Sequence, residues 1–308
     1  MITRNKKLPV VIYADFESSL VTTKNCKIKG AVALHEANTY RIHIHSDVDL
    51  GIPVDYEYSG VDADVHFVDL LINKLEKQIQ TKLQKCCEKH KEPKLTKEEE
   101  EQFKNATECI FCKNKLGEDR VRDHCHFTGK YEGASHNTCN IKAYQSFKGK
   151  VNVPVFFHNA NYDIRCFISA FEKISGTEFD VTKIGGIPCN MEIYKCLNIN
   201  SFTICDSYAH LSSSLDSLIK NLPDDKKHKL RTLATTDEQF SLINKKGLYP
   251  YEMITSLDKL NISITELKPS MFKSKLNLSR LSMKEWEHIK EVIKVFNIKI
   301  LKNTTIYT

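Results

Sequence analysis

The feature that most restricts the fold of this chain is a set of four potential metal ligands arranged in two close pairs. Cys109 and Cys112 form the first pair, and His136 and Cys139 form the second after 23 intervening residues. Two residues separate the members of each pair, so one turn can direct both side chains at a single ion in a tetrahedral Cys3His site. Four buried side chains without a metal are the plain alternative, which this spacing disfavours. The sequence therefore predicts a structural Zn2+ ion and a small module folded around it.

The cysteine content and the N-terminus indicate the compartment. The chain has 11 cysteines, an odd number. The first apolar run, from Leu8 to Ala14, is interrupted by Asp15 and is too short for a signal-peptide core or a membrane span. We therefore expect an intracellular protein, nuclear or cytoplasmic, with reduced thiols and no membrane partner. A net charge of +6 permits a nucleic-acid partner without requiring one.

The order of the sequence patterns predicts an α/β protein with the Cys/His module inserted into it. With 308 residues, 41% hydrophobic and 27% charged, the chain can bury a proper core. We expect four segments: the first part of an α/β domain (1–90), a linker with the zinc module (91–148), the second part of the α/β domain (149–222) and a mostly helical continuation (223–308).

Individual elements follow from periodicity and from capping residues. The charge-dense stretch 92–105 is a solvated helix or a linker, and we favour a spacer. Ser212 is expected to cap a helix that reaches Leu222. The other expected elements are an amphipathic helix over 66–90, a buried strand over 153–157, a helix over 162–171, a strand over 201–206 and an amphipathic helix over 282–296.

Two groups of acidic residues are candidates for a second metal site. Asp15 and Glu17 stand at the end of an apolar strand, where they project to one face because strand side chains alternate. A divalent cation is the usual relief for such a pair, although a solvent-exposed strand end is the simpler interpretation of the pair alone. The second group is His158-Asn159-Ala160-Asn161-Tyr162-Asp163, in a turn between a strand and a helix. Asp163 there could serve only the helix dipole.

Taken together, the D-x-E and H-N-x-x-Y-D patterns resemble two motifs of the DEDD-type 3′–5′ exonucleases. The chain resembles the N-terminal part of a protein-primed family B DNA polymerase, of the kind found in Polinton-like elements, viruses and linear plasmids. The resemblance implies a ribonuclease H-like mixed sheet with flanking helices, interrupted by a treble-clef or ββα zinc module. It implies that Asp15, Glu17 and Asp163 hold two Mg2+ or Mn2+ ions around the scissile phosphate.

The same resemblance implies a substrate and a partner. The substrate would be the single-stranded 3′ end of a DNA primer, and a terminal priming protein would be a further partner. The DNA-contacting residues that it implies are Phe16, His158, Asn159, Tyr162, Ser207 and Tyr307. The third motif of the family continues from its Tyr to an Asp four residues later, which would fall beyond Thr308. We therefore expect a fragment with impaired exonuclease activity and no polymerase domain.

The Cys/His module carries a resemblance of its own, to the endonuclease VII group of ββα-metal nucleases. That resemblance implies His124 as a general base, with Asp123 and Asn140 holding a catalytic cation. Cys125 and His126 could compete as zinc ligands. Two alternatives to the exonuclease therefore stay open: a DNA endonuclease centred on His124, and a non-catalytic zinc protein that binds DNA or another partner.

Overall fold

The structure is a computed structural model that describes residues 7–22, 33–144, 149–174, 184–188, 194–245, 247–273 and 280–302. The described residues form a mixed α/β fold, as the sequence predicts, with one large sheet, flanking helices and a small two-stranded sheet. Within the described ranges, no helix has the length and the apolar character that crossing a membrane requires.

The large sheet has the strand order β3-β2-β1-β6-β9-β8-β7. The pairs β1/β6 and β6/β9 are parallel, and the remaining pairs are antiparallel. Strand β6 lies centrally, which explains its almost continuously apolar sequence VPVFF. The described strands are β1 (Val10–Thr22), β2 (Ala33–Ser46), β3 (Asp55–Ser59), β4 (Arg120–His124), β5 (Tyr131–His136), β6 (Val153–Phe157), β7 (Ile184–Pro188), β8 (Tyr194–Ile199) and β9 (Phe202–Asp206).

Two of the helices matter most for the site. A continuous helix runs through α1, a π-helical segment (Leu70–Leu75) and α2, and it buries one apolar face against the sheet. Helix α5 follows β6 directly and packs on α1, where Lys173 binds Asp62 and Asp64 at 2.9 and 3.0 Å. The described α-helices are α1 (Ala63–Asp69), α2 (Glu76–Lys89), α3 (Lys97–Asn105), α4 (Asn137–Tyr144), α5 (Asn161–Ile174), α6 (Leu215–Asn221), α7 (His228–Arg231), α8 (Asp237–Ile243) and α9 (Met283–Val295).

Two elements differ from the sequence-based expectation because of their capping residues. The stretch expected as a spacer contains helix α3, which begins after Thr96 in a capping box with Glu99. Helix α6 begins after Ser214, not Ser212, because the Ser214 hydroxyl accepts the backbone N–H of Ser217.

The C-terminal segment packs against the sheet. It combines short 3-10 turns with α9 around a second apolar cluster that includes Tyr249, Ile254 and Leu267, and α8 packs against α9. The backbone N–H of Leu20 donates to the carbonyl oxygen of Ile254 at 2.8 Å, which ties this cluster to β1. Residues 249–254 are thereby placed beside the strand that carries Asp15 and Glu17.

Candidate functional site

The structure brings the four predicted zinc ligands together. Cys109 and Cys112 lie in the loop before β4, His136 ends β5, and Cys139 lies in the first turn of α4. One ligand atom from each residue lies within 4.8 Å of all the others, and no other group of three or more His, Cys, Asp or Glu in the described residues meets this condition. Cys125 and His126, the competing candidates, are outside the cluster.

Hydrogen bonds around this cluster prepare it for a metal ion. The Nε2 atom of His136 lies 3.0 Å from the carbonyl oxygen of Lys115, so Nε2–H donates there and Nδ1 is left as the ligand atom. Nδ1 lies 3.4 Å from Sγ of Cys112 and 3.9 Å from Sγ of Cys139. Burial raises the pKa of the Cys109 thiol, but hydrogen bonds from the backbone of Cys112, His136 and Phe111 outweigh it and lower the pKa to about 6. The thiolate is the form that binds zinc, so the cluster could hold a structural Zn2+ ion.

A second candidate site forms where β1 separates from β6. Their parallel pairing is at Ile12 and Tyr13, and beyond it β1 pairs only with β2. Helix α5 begins at Asn161, shortly after β6 ends, so its first turn faces the exposed edge of β1. There the backbone N–H of Phe16 donates to Oδ1 of Asp163 at 3.3 Å. Asp163 is thereby held against the strand that carries Asp15 and Glu17.

Burial and the two neighbouring carboxylates together disfavour the charged form of Asp163. Asp163 is only 2% exposed. Burial and then the charge of Asp15 raise the pKa of Asp163 to about 8, and Glu17 adds to the rise. Their oxygens do not all lie within 4.8 Å of one another, since that condition selects only the Cys3His group in the described part of the chain. Carboxylate oxygens are the ligands that Mg2+ and Mn2+ prefer, but these three carboxylates do not form a compact cluster like the Cys3His group.

The acidic pair is not at the end of its strand. Strand β1 continues to Thr22, and a β-bulge lies between Glu17 and Ser18 in its pairing with β2. Bulges redirect side chains and are common beside functional sites. Asp15 and Glu17 therefore lie inside a bulged strand and not at a strand end. The strand residues after the bulge pair with the N-terminal half of β2.

Phe16 does not contact solvent in this fold, which contradicts its expected role in binding DNA. Its ring is 4% exposed and packs against Tyr40, Phe67, Phe157 and Phe167. The reason is the alternation of strand side chains: if Asp15 and Glu17 face the site, the residue between them faces the core. Phe16 contributes its backbone N–H to the site and its ring to the core.

The other expected DNA contacts that the structure describes differ in their surroundings. Nδ1 of His158 lies 3.0 Å from Oγ of Ser207, and Nε2 lies 3.1 Å from the carbonyl oxygen of Ser213, so both ring nitrogens have partners within the protein. Asn159 is exposed in a left-handed conformation (φ 68°), and its N–H donates to Asp206 at 2.9 Å. The hydroxyl of Tyr162 lies 3.0 Å from Nδ1 of His35. Tyr307 lies outside the described residues.

The residues of the endonuclease-like pattern are largely enclosed. Asp123 and His124 end β4 and are buried, and His124 is 5% exposed. Nε2 of His124 lies 2.8 Å from the carbonyl oxygen of His90, at the end of α2. This contact fixes Nε2 as the donor, so Nδ1 is the basic nitrogen. In the described residues neither Nδ1 of His124 nor Oδ1 of Asn140 has a hydrogen-bond partner.

Three residues near Tyr162 or near the acidic charges were not among the predicted site residues: His35, Tyr249 and Tyr251. His35 is on β2 and reaches Tyr162. Tyr251 is 46% exposed, and burial and then the charges of Glu17 and Asp15 raise its pKa. The rings of Tyr249 and Tyr251 pack edge to face at 5.1 Å. The only signal in the sequence was the aromatic segment around Tyr249, which carries no periodicity to connect it with β1.

Comparison of the chain with protein-family models, with curated proteins and with solved structures finds no match. The family resemblance therefore rests on the motifs themselves.

Proposed function

We propose that this chain is the 3′–5′ exonuclease region of a family B, protein-primed DNA polymerase, with Asp15, Glu17 and Asp163 as its metal-binding carboxylates. The observation that carries the proposal is the hydrogen bond from Phe16 N–H to Asp163, because it joins two motifs that are 147 residues apart. The mixed sheet with flanking helices supports the ribonuclease H-like fold that such an enzyme would have.

The surrounding residues suit a single-stranded DNA end. Asp15 is exposed and Glu17 is half-buried, so the acidic site is open on one side. Tyr162 and Tyr251 place aromatic rings beside it, and stacking on such rings accepts any unpaired base. The contacts of His158 with Ser207 and Ser213 hold the turn that carries Asn159. When bound, a pair of Mg2+ or Mn2+ ions would supply an activated water and stabilise the leaving oxygen.

The test is degradation of single-stranded DNA labelled at its 5′ end, by zinc-loaded protein with Mg2+ or Mn2+. Slow removal of nucleotides from the 3′ end is expected, and Asp15→Asn with Glu17→Gln should reduce its rate by at least about a hundredfold. Glu57→Gln changes an exposed acid on β3 and serves as the matched control. Degradation that persists in the double variant would refute the proposal.

A second candidate function is DNA cleavage at the zinc module. The specific observation in its favour is that, among the described residues, neither Nδ1 of His124 nor Oδ1 of Asn140 has a hydrogen-bond partner. The burial of His124 disfavours it, since a general base must reach water and substrate. The exonuclease proposal is therefore the stronger one.

One comparison separates the candidates. Internal nicking of duplex or branched DNA that is lost in His124→Ala and retained in the Asp15→Asn, Glu17→Gln double variant would assign the activity to the zinc module. If the wild-type protein binds DNA but neither shortens its 3′ end nor nicks it internally, it is the non-catalytic zinc protein.

A further inference from the structure

Two cysteines face each other across an antiparallel strand pair. In the pairing of β8 with β9, Cys196 is the direct partner of Cys205. Directly opposite residues have their side chains on the same face of the sheet, and their Cα atoms lie about 4.5–5.5 Å apart. The Cα atoms of disulfide-bonded cysteines lie about 4.4–6.8 Å apart, so the strand spacing permits a bond between these two. Of the cysteines that the structure describes, no others lie on β-strands.

Both side chains are thiols that a small reagent in solution can reach. Cys196 and Cys205 are not bonded to another cysteine, and each is half-buried rather than enclosed. Burial and then the neighbouring Cys196 raise the pKa of Cys205, which is consistent with two thiols in proximity. On the other side of Cys196, its direct partner on β7 is Ile187, which is 56% exposed. The pair therefore lies on a part of the sheet that is open to solvent.

The pair also lies next to the end of β9, which supports the turn of Asn159. Cys205 immediately precedes Asp206, whose carboxylate accepts the backbone N–H groups of Asn159 and Tyr208, both at 2.9 Å. A bond between Cys196 and Cys205 would join β8 covalently to β9 directly before these contacts. The oxidation state of the pair would thus change the connection of a strand end that holds part of the candidate site.

We propose that Cys196 and Cys205 form a redox-active dithiol, which a small disulfide such as oxidised glutathione converts into a cross-strand disulfide. This inference does not depend on the proposed function. One thiolate of the pair attacks a sulfur of the reagent, forms a mixed disulfide and releases one glutathione thiolate. The second thiolate attacks the protein sulfur of that mixed disulfide and releases the other glutathione. The protein loses two electrons and two protons, and the reagent becomes two thiols.

The strand geometry makes this bond readily reversible. The Cβ atoms of directly opposite strand residues lie about 4.5–5.5 Å apart, whereas those of a disulfide lie roughly 3.5–4.5 Å apart. The two strands must therefore adjust when the bond forms, and a bond formed under strain is more easily reduced. The dithiol is thus the resting form in a reducing compartment, and the disulfide is the form under oxidising conditions.

The test treats the zinc-loaded full chain with oxidised glutathione, blocks the remaining thiols by alkylation and maps the products by mass spectrometry. Wild type should give a peptide linked through Cys196 and Cys205, and excess reduced glutathione should restore both thiols. Cys205→Ser should instead carry glutathione on Cys196, because the second thiol that would release it is absent. Cys87→Ser removes a half-buried thiol on α2 and serves as the matched control, which should form the bond like wild type.

The outcomes decide the inference. In urea-unfolded protein, loop closure favours cysteines closer in sequence, such as Cys109 and Cys112, so the preference for the strand pair should be lost. The inference is wrong if folded wild type carries glutathione on Cys196 or Cys205 without a bond between them, if either bonds to another cysteine, or if neither reacts. It is also wrong if the bond resists excess reduced glutathione, because the pair would then form a structural disulfide.

Discussion

In protein free of Mg2+ and Mn2+, the Asp163→Asn variant should become increasingly more stable than wild type as the pH rises. Burial and then Asp15 raise the pKa of Asp163 from 3.8 to about 8. Because the folded pKa exceeds the unfolded one, the stability that protonation of Asp163 contributes is complete below about pH 4 and is lost as the pH rises towards 8. Asn has no such titration, and its Oδ1 can still accept the N–H of Phe16.

The magnitude follows from the two pKa values. In the range between them, wild type loses about 1.4 kcal/mol for each pH unit relative to Asp163→Asn. From pH 4.5 to 7.5, the difference in free energy of unfolding between variant and wild type should therefore grow by about 4 kcal/mol. Urea denaturation of zinc-loaded protein at several pH values measures this difference, and titrating groups that do not interact with Asp163 cancel in the comparison. Chelators must be left out, because they would remove zinc.

Glu76→Gln provides a control of opposite sign. Glu76 is also a buried carboxylate, but hydrogen bonds from Lys150, Ser201 and Asn200 outweigh the effect of burial and lower its pKa. Its contribution to stability is therefore present at neutral pH and lost as the pH falls through its folded pKa. As the pH rises, the free energy of unfolding of wild type should increase relative to that of Glu76→Gln. If the Asp163→Asn difference stays constant with pH, or follows the sign of Glu76→Gln, burial and the neighbouring carboxylates do not raise the pKa of Asp163 as described.

Three further outcomes are expected. Phe16→Ala should lower the free energy of unfolding by about 3–5 kcal/mol, measured in urea, because it empties the centre of the aromatic core. Cys109→Ser should abolish stoichiometric zinc retention, measured by elemental analysis, and should make the segment 107–144 protease-sensitive. Gly129→Ala should destabilise the zinc module by about 1–3 kcal/mol, because Gly129 has a φ of 74° and an added Cβ would lie 2.4 Å from the ring of His90. A Gly129→Ala protein as stable as wild type in thermal unfolding would contradict that geometry.

Local patterns in the sequence were sufficient for the parts of the fold that depend on neighbours along the chain. Cys109 lies close to Cys112, and His136 close to Cys139, because one turn of the chain is enough to bring the two members of each pair together. The capping box of Thr96 and Glu99 could be recognised in the sequence, but the dense charges around it favoured the prediction of a spacer over that of a helix. The alternation that placed Asp15 and Glu17 on one face also excluded Phe16 from that face, a consequence that the family resemblance obscured.

Long-range contacts could not be derived in the same way. Asp163 reaches β1 because β1 and β6 pair in parallel, and no local periodicity specifies which strands pair. The contact between Leu20 and Ile254 joins residues more than 200 positions apart in sequence, and the bulge after Glu17 depends on the register with β2. These features belong to the carboxylate site, so its residue types were predictable while its surroundings were not.

The structure also explains how a zinc module can lie inside the α/β domain without disrupting the sheet. The side chain of Gln80 on α2 donates to the carbonyl oxygen of Val151 at 2.7 Å and accepts its N–H at 2.8 Å. One turn earlier, Glu76 binds Lys150 at 2.9 Å. The chain therefore leaves the domain along α2 and returns to β6 at nearly the same place.

The α/β domain itself holds the two ends of the inserted segment close together. The insertion therefore adds little loss of chain entropy from loop closure. The module is nevertheless fixed in orientation. The contact between His124 and the carbonyl of His90 joins it to the end of α2, and Phe127 packs into the main core. Because α2 continues from α1, which packs on α5, one helix connects the zinc module to the element that carries Asp163. A change at the zinc module that displaces α2 is therefore expected to reach the carboxylate site through packed helices rather than through a flexible linker.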